Sequence, residues 1–222
     1  MKNQFTKTQL KEIESQLSHP RGAQGIEIAN SMNQSNIGMT KSSIAALNVG
    51  EGDVVLEIGH GNCGHLKYLI DAAEEIKYIG LEISETMNNE AKKQLSSVEA
   101  KNVEFKLYKG NELPLDNESV DRVLTVNTLY FWEKPIAFLM EIFRVLKNDG
   151  LCIVTFAHKE FMNTLPFVNE KFRLYNPKDL DGLLKVTKMT LKRNYKKQET
   201  VRNKAGDYVE RVYSVAVLIK KE

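Results

Sequence analysis

The sequence has little cysteine, five prolines and a single tryptophan among its 222 residues. The two cysteines, Cys63 and Cys152, lie far apart. That excludes a disulfide-stapled scaffold and leads us to expect free thiols in a reducing, cytoplasmic compartment. No apolar run approaches the roughly 18 residues that a membrane-spanning helix needs. The opening stretch MKNQFTKTQLKEIESQL lacks the apolar segment of a secretory signal. No internal repeat and no low-complexity tract is present, which excludes a solenoid. Apolar residues make up 42% and charged residues 27%, values that exclude a disordered chain. The length suits one large domain or two small ones with a sizeable core.

Charge of one sign is also missing overall, with a formal net charge of +2. Its distribution is uneven. Residues 171–222 hold 14 Lys and Arg against 6 Asp and Glu, while residues 1–170 hold 17 against 23. A basic end can attract acidic partners. We read this one as a solvated hairpin and do not expect a nucleic-acid partner.

The order of patterns gives the architecture. Residues 1–50 read as helical pieces interrupted by Gly22, Gly25 and Gly38, with a polar, loop-like or capping string from Asn30 to Asn36. From Gly52 onward, short β-branched runs alternate with helical patterns. Strands are expected over 54–58, 78–83, 103–107, 120–126 and 151–156. Helices are expected over about 64–73, from Ser84 with Met87, Ala91, Leu95 and Val98 on one face, and from Pro135 to a stop at Asn148-Asp149-Gly150. A short helix over 177–184 precedes two strands, over about 187–195 and 208–219, joined by a polar loop with Gly206. Alternating strands and helices imply βαβ units and a mostly parallel sheet. The tail reads as an antiparallel hairpin on its edge.

One loop carries chemistry. Gly59-His60-Gly61-Asn62-Cys63-Gly64 joins the first strand to its helix. Glycines allow a tight turn and a close approach of backbone to ligand, and a helix start offers free N–H groups. Glu82 ends the second strand, 21 residues after Gly61, where a carboxylate can accept both hydroxyls of a ribose. Alone, this pattern also fits a dinucleotide site.

The whole string Asp53-Val-Val-Leu-Glu-Ile-Gly-His-Gly-Asn-Cys-Gly resembles the first motif of class I S-adenosylmethionine-dependent methyltransferases. Leu113-Pro114 with Asp116, then Ser119-Val-Asp-Arg-Val123, is similar to the family's LPF…SFDxV stretch. Glu141-Ile-Phe-Arg-Val-Leu-Lys-Asn-Asp-Gly150 is similar to its REIxRVLKPGG stretch. Together these span roughly residues 50–158, in the family's order, and look closest to its small-molecule, quinone-methylating branch. The resemblance implies a doubly wound, Rossmann-like α/β fold with a seven-stranded, mostly parallel sheet. It also implies an N-terminal helical lid over 1–50 and a methyltransferase domain over 51–222.

The resemblance implies roles as well. Gly59 and Gly61, with His60 between them, would line the methionine and ribose parts of S-adenosylmethionine. Glu57 would anchor the ammonium, Glu82 the ribose, and Ile83 would pack on adenine. Aligned without a gap, Tyr108-Lys-Gly-Asn-Glu-Leu-Pro114 sits where relatives read G-D-A-x-x-L-P, so Lys109 replaces the adenine-binding acid. Adenine would then be held by a backbone carbonyl, by Asn111, or by the N–H of Gly110. Asn127 and Thr128 would face the transferring methyl. His60, Cys63 and His65 match no common zinc spacing and offer only three ligands, so no metal is expected.

The acceptor is less legible. Asn127-Thr-Leu-Tyr130 lacks the two prolines of the D/N-P-P-Y/F turn that methylates amines of DNA bases. Tyr130-Phe131-Trp132 can wall an apolar or aromatic small-molecule acceptor. Phe156, Phe161, Phe167 and Phe172 either continue that wall or fill core. Met39 and Thr40 are expected to touch cofactor or acceptor from the lid, and His158 is a candidate base. Other readings are an RNA- or protein-directed methyltransferase, an idle cofactor-binding scaffold, and a nicotinamide dehydrogenase. The last requires the later motifs to be coincidence.

Overall fold

The computed structural model describes residues 5–95, 102–202 and 207–221. Two expected positions, Val98 and Gly206, lie outside the described residues. Strands β1 (Val54–Ile58), β2 (Lys77–Glu82), β3 (Val103–Leu107), β4 (Val120–Val126) and β5 (Leu146–Ala157) are parallel. Strands β6 (Met189–Arg202) and β7 (Tyr208–Lys220) form an antiparallel hairpin, and β7 pairs antiparallel with β5. The sheet order is β3-β2-β1-β4-β5-β7-β6, with the order reversing between β1 and β4. That reversal opens a crevice at the carboxyl ends of the strands. Central strands covered on both faces explain the near-continuous apolar runs. Leu56, Ile58, Val123, Leu124, Ile153, Val154 and Phe156 are all buried. Phe156 is therefore core.

The helices differ from expectation in three places. α1 (Lys7–Ser18) starts at a capping box, in which Thr6 Oγ1 accepts from Gln9 N at 3.3 Å and Gln9 Oε1 accepts from Thr6 N at 2.8 Å. α2 (Gly22–Leu47) then runs unbroken for 26 residues. Its glycines mark close packing: a Cβ at Gly25 would lie 2.9 Å from the Pro20 carbonyl carbon, and one at Gly38 would collide with the Glu199 carboxylate. The polar string is helical because distant partners satisfy its side chains. Asn62 Nδ2 donates to Asn30 Oδ1 at 2.8 Å, Asn33 Nδ2 donates to Asn62 Oδ1 at 2.5 Å, and Arg211 Nη1 donates to Asn36 Oδ1 at 2.8 Å.

α3 is only Leu66–Ile70, because the loop stays non-helical through Cys63, whose φ is 54°. α4 (Glu85–Leu95) is capped by Ser84, whose Oγ accepts from Met87 N at 3.1 Å. α5 (Pro135–Val145) ends before the expected stop. The carbonyls of Arg144 and Val145 accept from Glu118 N and Ser119 N, both at 2.9 Å, so the chain leaves the helix there and Leu146 pairs with Val120. Lys147, beyond the helix, pairs with Asp121 at 2.8 and 2.9 Å. The short helices α6 (Lys159–Met162) and α7 (Pro177–Leu184) precede the hairpin.

The second half of α2 belongs to the core. Met39 and Leu47 are fully buried, and Ser43 Oγ lies 2.6 Å from Thr155 Oγ1 on β5. Leu47→Ala is therefore expected to lower unfolding free energy by about 2–5 kcal/mol in urea titrations. Gln34→Ala, on the exposed face of the same helix, should change it by less than about 0.5 kcal/mol.

Candidate active site

A cavity of about 400 Å³ fills the crevice beneath α2. Its floor is the glycine loop. Gly59 has φ 74°, and a Cβ there would lie 2.5 Å from Thr128 Cγ2, so the position needs glycine twice over. Gly61 has φ 58°, and the space beside its Cα is open, which lets a ligand reach the backbone. Gly61 N donates to Glu82 Oε2 at 2.9 Å, and Glu82 Oε1 accepts from Ile83 N at 2.8 Å and Ser84 N at 3.0 Å. A carboxylate has about four acceptor positions, so one remains for a ligand hydroxyl. Burial pushes the Glu82 carboxyl up, and the three backbone donors oppose the shift.

Beside it runs a buried chain of polar groups. His65 Nε2 lies 2.9 Å from both oxygens of Glu57. Tyr78 OH donates to Glu57 Oε2 at 2.6 Å, and Cys63 Sγ lies 3.3 Å from Tyr78 OH. Burial pushes the Glu57 carboxyl up, but His65 and Tyr78 together bring it below its ordinary value. Burial pushes His65 down, and the Glu57 charge more than reverses that. The ligand atoms of Glu57, Cys63 and His65 lie within 4.8 Å of one another. The Glu57 oxygens, Cys63 Sγ and His65 Nε2 are engaged with one another or with Tyr78, and burial raises the Cys63 thiol well above its ordinary value.

His60 is different. Its ring lies 4.8 Å from that of Phe105, and both nitrogens are buried with no partner among the described residues. Burial pushes its pKa down to about 4, so the imidazole is neutral. A Cβ on Gly80 would lie 2.8 Å from His60 Cδ2, so that glycine makes the room.

At the β4 end, Asn127 has φ 58°, and its Oδ1 accepts from Tyr130 OH at 3.1 Å. Thr128 Oγ1 accepts from Trp132 Nε1 at 3.1 Å and bonds Thr125 Oγ1. The Tyr130 hydroxyl is fully engaged, accepting from Ala157 N at 2.6 Å and lying 3.1 Å from Ala157 O. It ties the segment after β4 to the end of β5, and Tyr130 lines the cavity.

Glu57, Gly59, His60, Gly61, Glu82, Ile83, Gly110, Asn127, Thr128, Tyr130 and Trp132 all line this cavity. Phe161, Phe167 and Phe172 line it too. Four expected residues do not. Lys109 and Asn111 are exposed and do not line the cavity. Met39 packs behind Asn127, whose Nδ2 lies 3.6 Å from its sulfur, while its neighbour Thr40 lines the wall. His158 Nε2 is bonded to Ser214 Oγ at 2.9 Å on β7, and its place as a base in the cavity is not met. Among the lining residues that were not anticipated are His65, Tyr108 and Arg211. His65 adjoins the glycine loop and was within reach of sequence reasoning. Arg211 has no local signal, because its partners come from α2 and β6.

The switch-point crevice and the sheet order give the chain the fold of S-adenosylmethionine-dependent methyltransferases, and its central part is similar to them in sequence. The family model described as "Methyltransferase domain" matches residues 56–154. The demethylmenaquinone methyltransferase of Lactococcus lactis is 35% identical over 136 residues, covering 59% of this chain and 52% of that protein. The fatty-acid O-methyltransferase of Mycolicibacterium smegmatis is 28% identical, covering 62% and 49%. The chain thus spans about half the length of these relatives. A SAM-dependent methyltransferase from Aquifex aeolicus shares the fold, with TM-score 0.62 and 22% identity over 97% of this chain and 100% of that one. Another from Methanosarcina mazei has TM-score 0.63 and 17% identity over 81% and 98%. Among the described residues, no helix is long and apolar enough to cross a membrane.

Two outcomes follow from the loop. Gly59→Ala should destabilise the protein by about 1–3 kcal/mol, from positive φ and the contact with Thr128. Adding Thr128→Ser removes the offending methyl and should return part of that loss in thermal melts. His60 binds its proton later than the unfolded chain does as pH falls. Stability should therefore decline on acidification from 6.5 toward about 4. His60→Gln should flatten that part of a urea-midpoint profile.

Proposed function

We propose that the protein transfers the methyl group of S-adenosylmethionine to a small, apolar or aromatic acceptor. The observation that carries this reading is the division of the cavity. One half is polar and built on the glycine loop and Glu82. The other is walled by Phe131, Phe161, Met162, Leu165 and Phe172. The names of the two relatives, a demethylmenaquinone and a fatty-acid methyltransferase, agree with an apolar acceptor.

When bound, the cofactor supplies an electrophilic methyl on a sulfonium. The chain supplies position and dryness. Glu82 would accept from a ribose hydroxyl at its remaining acceptor position. Ile83 and Tyr108 would flank adenine, and Gly110 would offer its backbone N–H where Lys109 replaces an acid. Asn127 and Thr128 stand between the two halves. The Tyr130 hydroxyl has no free capacity, so an acceptor proton is not removed there.

Residues 1–50 act as the lid in this reading, through α1 and the first half of α2. Ser84 Oγ donates to Pro20 O at 2.5 Å, and Asn62 clasps Asn30 and Asn33 over the glycine loop. Arg211 joins the far end, donating to Ser35 O at 2.6 Å and to Glu199 at 2.8 Å. The exposed Lys192, Arg193, Lys196 and Lys197 lie on β6 and do not line the cavity, which favours a small molecule over RNA. Two buried, unpaired thiols, Cys63 and Cys152, support a reducing, cytoplasmic setting.

Calorimetric titration tests the reading. S-adenosylhomocysteine should bind at micromolar affinity and NAD should not. Glu82→Ala should weaken that binding at least about tenfold, the loss of a charge-assisted hydrogen bond. Binding of NAD alone would overturn the assignment.

A further inference from the structure

Resting on the apolar-acceptor reading above, we propose that the outer edge of the β6–β7 hairpin docks the protein on an anionic lipid surface, where its tip meets an acceptor dissolved in the bilayer. The first observation is charge that the site does not use. β6 carries Lys192, Arg193, Lys196, Lys197 and Arg202 against a single acid, Glu199. All five cations are exposed, and Glu199 is already paired with Arg211 on β7. β6 ends the sheet order, so no strand lies against its outer edge. Lysines on such an edge keep other strands from pairing with it. That accounts for cations anywhere along the strand, but not for what the tip adds to them.

The tip is built as a lip on the cavity. The pairing of β5 with β7 stops at Ala157 and Tyr213, and Tyr213 is the register partner of Lys197. Residues 198–202 and 208–212 therefore project past the sheet at its carboxyl end, where the crevice lies. Val201 and Val209 are register partners, and both line the cavity. One step further out, Arg202 pairs in register with Tyr208. Arg202 lines the cavity and is also exposed, so the cavity wall reaches the surface here. Tyr208 is 78% exposed, the highest value for a large hydrophobic side chain among the described residues. A second exposed tyrosine, Tyr195, stands among the cations with Arg193 over its ring.

These parts fit one partner. Tyrosine favours the boundary layer of a bilayer, and Lys and Arg are drawn to anionic headgroups. The compartment behind the lip is walled by Phe131, Phe161 and Phe172, which suits an acceptor taken from hydrocarbon and offers nothing to a nucleotide. The net charge of the whole chain is only +2, so the attraction comes from this edge and turns it toward the surface.

Vesicle co-sedimentation tests the proposal. The protein should bind vesicles of phosphatidylcholine and phosphatidylglycerol in equal parts at least about tenfold more tightly than phosphatidylcholine alone, with a preference that shrinks as salt is raised. Replacing Lys192, Lys196 and Lys197 together by Gln should cut binding to the anionic vesicles at least about tenfold, given about fivefold for each cation at the surface. None of the three lines the cavity, so S-adenosylhomocysteine binding should stay within about twofold and show that the variant is folded. Tyr208→Ser should weaken vesicle binding without changing its salt dependence. Equal binding to both vesicle types, full binding by the triple variant, or binding of a single-stranded RNA oligonucleotide in place of the anionic vesicles overturns the proposal. The expected vesicle binding with no binding of S-adenosylhomocysteine overturns the methyl-transfer reading and leaves the docking surface standing.

Discussion

The bond from the Gly61 N–H to the Glu82 carboxylate holds the site together. It ties the loop that follows β1 to the end of β2. The same carboxylate receives Ile83 N and Ser84 N, so three backbone donors from two elements converge on one buried side chain. A carboxylate that was merely buried would neutralise or drive the fold open. Here backbone dipoles oppose the burial, and Glu82 still lines the cavity. The geometry also sets the glycines. Gly59 must pass beneath Thr128, and Gly61 must bring its N–H to Glu82, and both do so at positive φ. Strand order supplies the crevice, but this bond fixes the loop within it.

A second constraint couples the lid to the hairpin. Arg211 is buried on β7, paired with Glu199 on β6, and donates to Ser35 and Asn36 on α2. A buried ion pair of this sort is weak evidence for net stability, because desolvation offsets most of the attraction. Its effect is geometric. It sets how closely α2 lies on the hairpin, and Gly38, with no room for a Cβ beside Glu199, is the matching half of that fit. Removing one partner would leave a buried charge without a counterpart, which is the costly case. The cavity roof therefore depends on residues separated by more than 160 positions in sequence.

That distance explains what was legible beforehand. The parallel strands were readable because central strands carry continuous apolar runs, and the glycine loop and Glu82 because their roles depend on spacing within one βαβ unit. α2 was not readable as one helix. Its polar residues look like a loop until Asn62 and Arg211 are known to satisfy them. The early end of α5 was hidden for the same reason, since its last carbonyls are claimed by Glu118 and Ser119. His158 resembled a base because it follows a strand on the ligand side, but a hydroxyl on the neighbouring antiparallel strand captures its ring. Met39 and Thr40 show the finest limit: adjacent helical positions point about 100° apart, and only one of them meets the cavity.

The departure at Lys109 gives these details a common sense. An acid at that position would hold the adenine amino group, but Lys109 is exposed and outside the cavity wall. What lines the cavity there is Gly110, with Ile83 and Tyr108. Backbone and packing contacts are sequence-tolerant and individually weak. A site that gives up a charged contact at one end of an elongated ligand keeps its grip through the charged contacts at the other. In this protein those lie at Glu82 and in the Glu57–His65 pair, on either side of the glycine loop. The glycine loop is thus flanked on both sides by buried, hydrogen-bonded carboxylates.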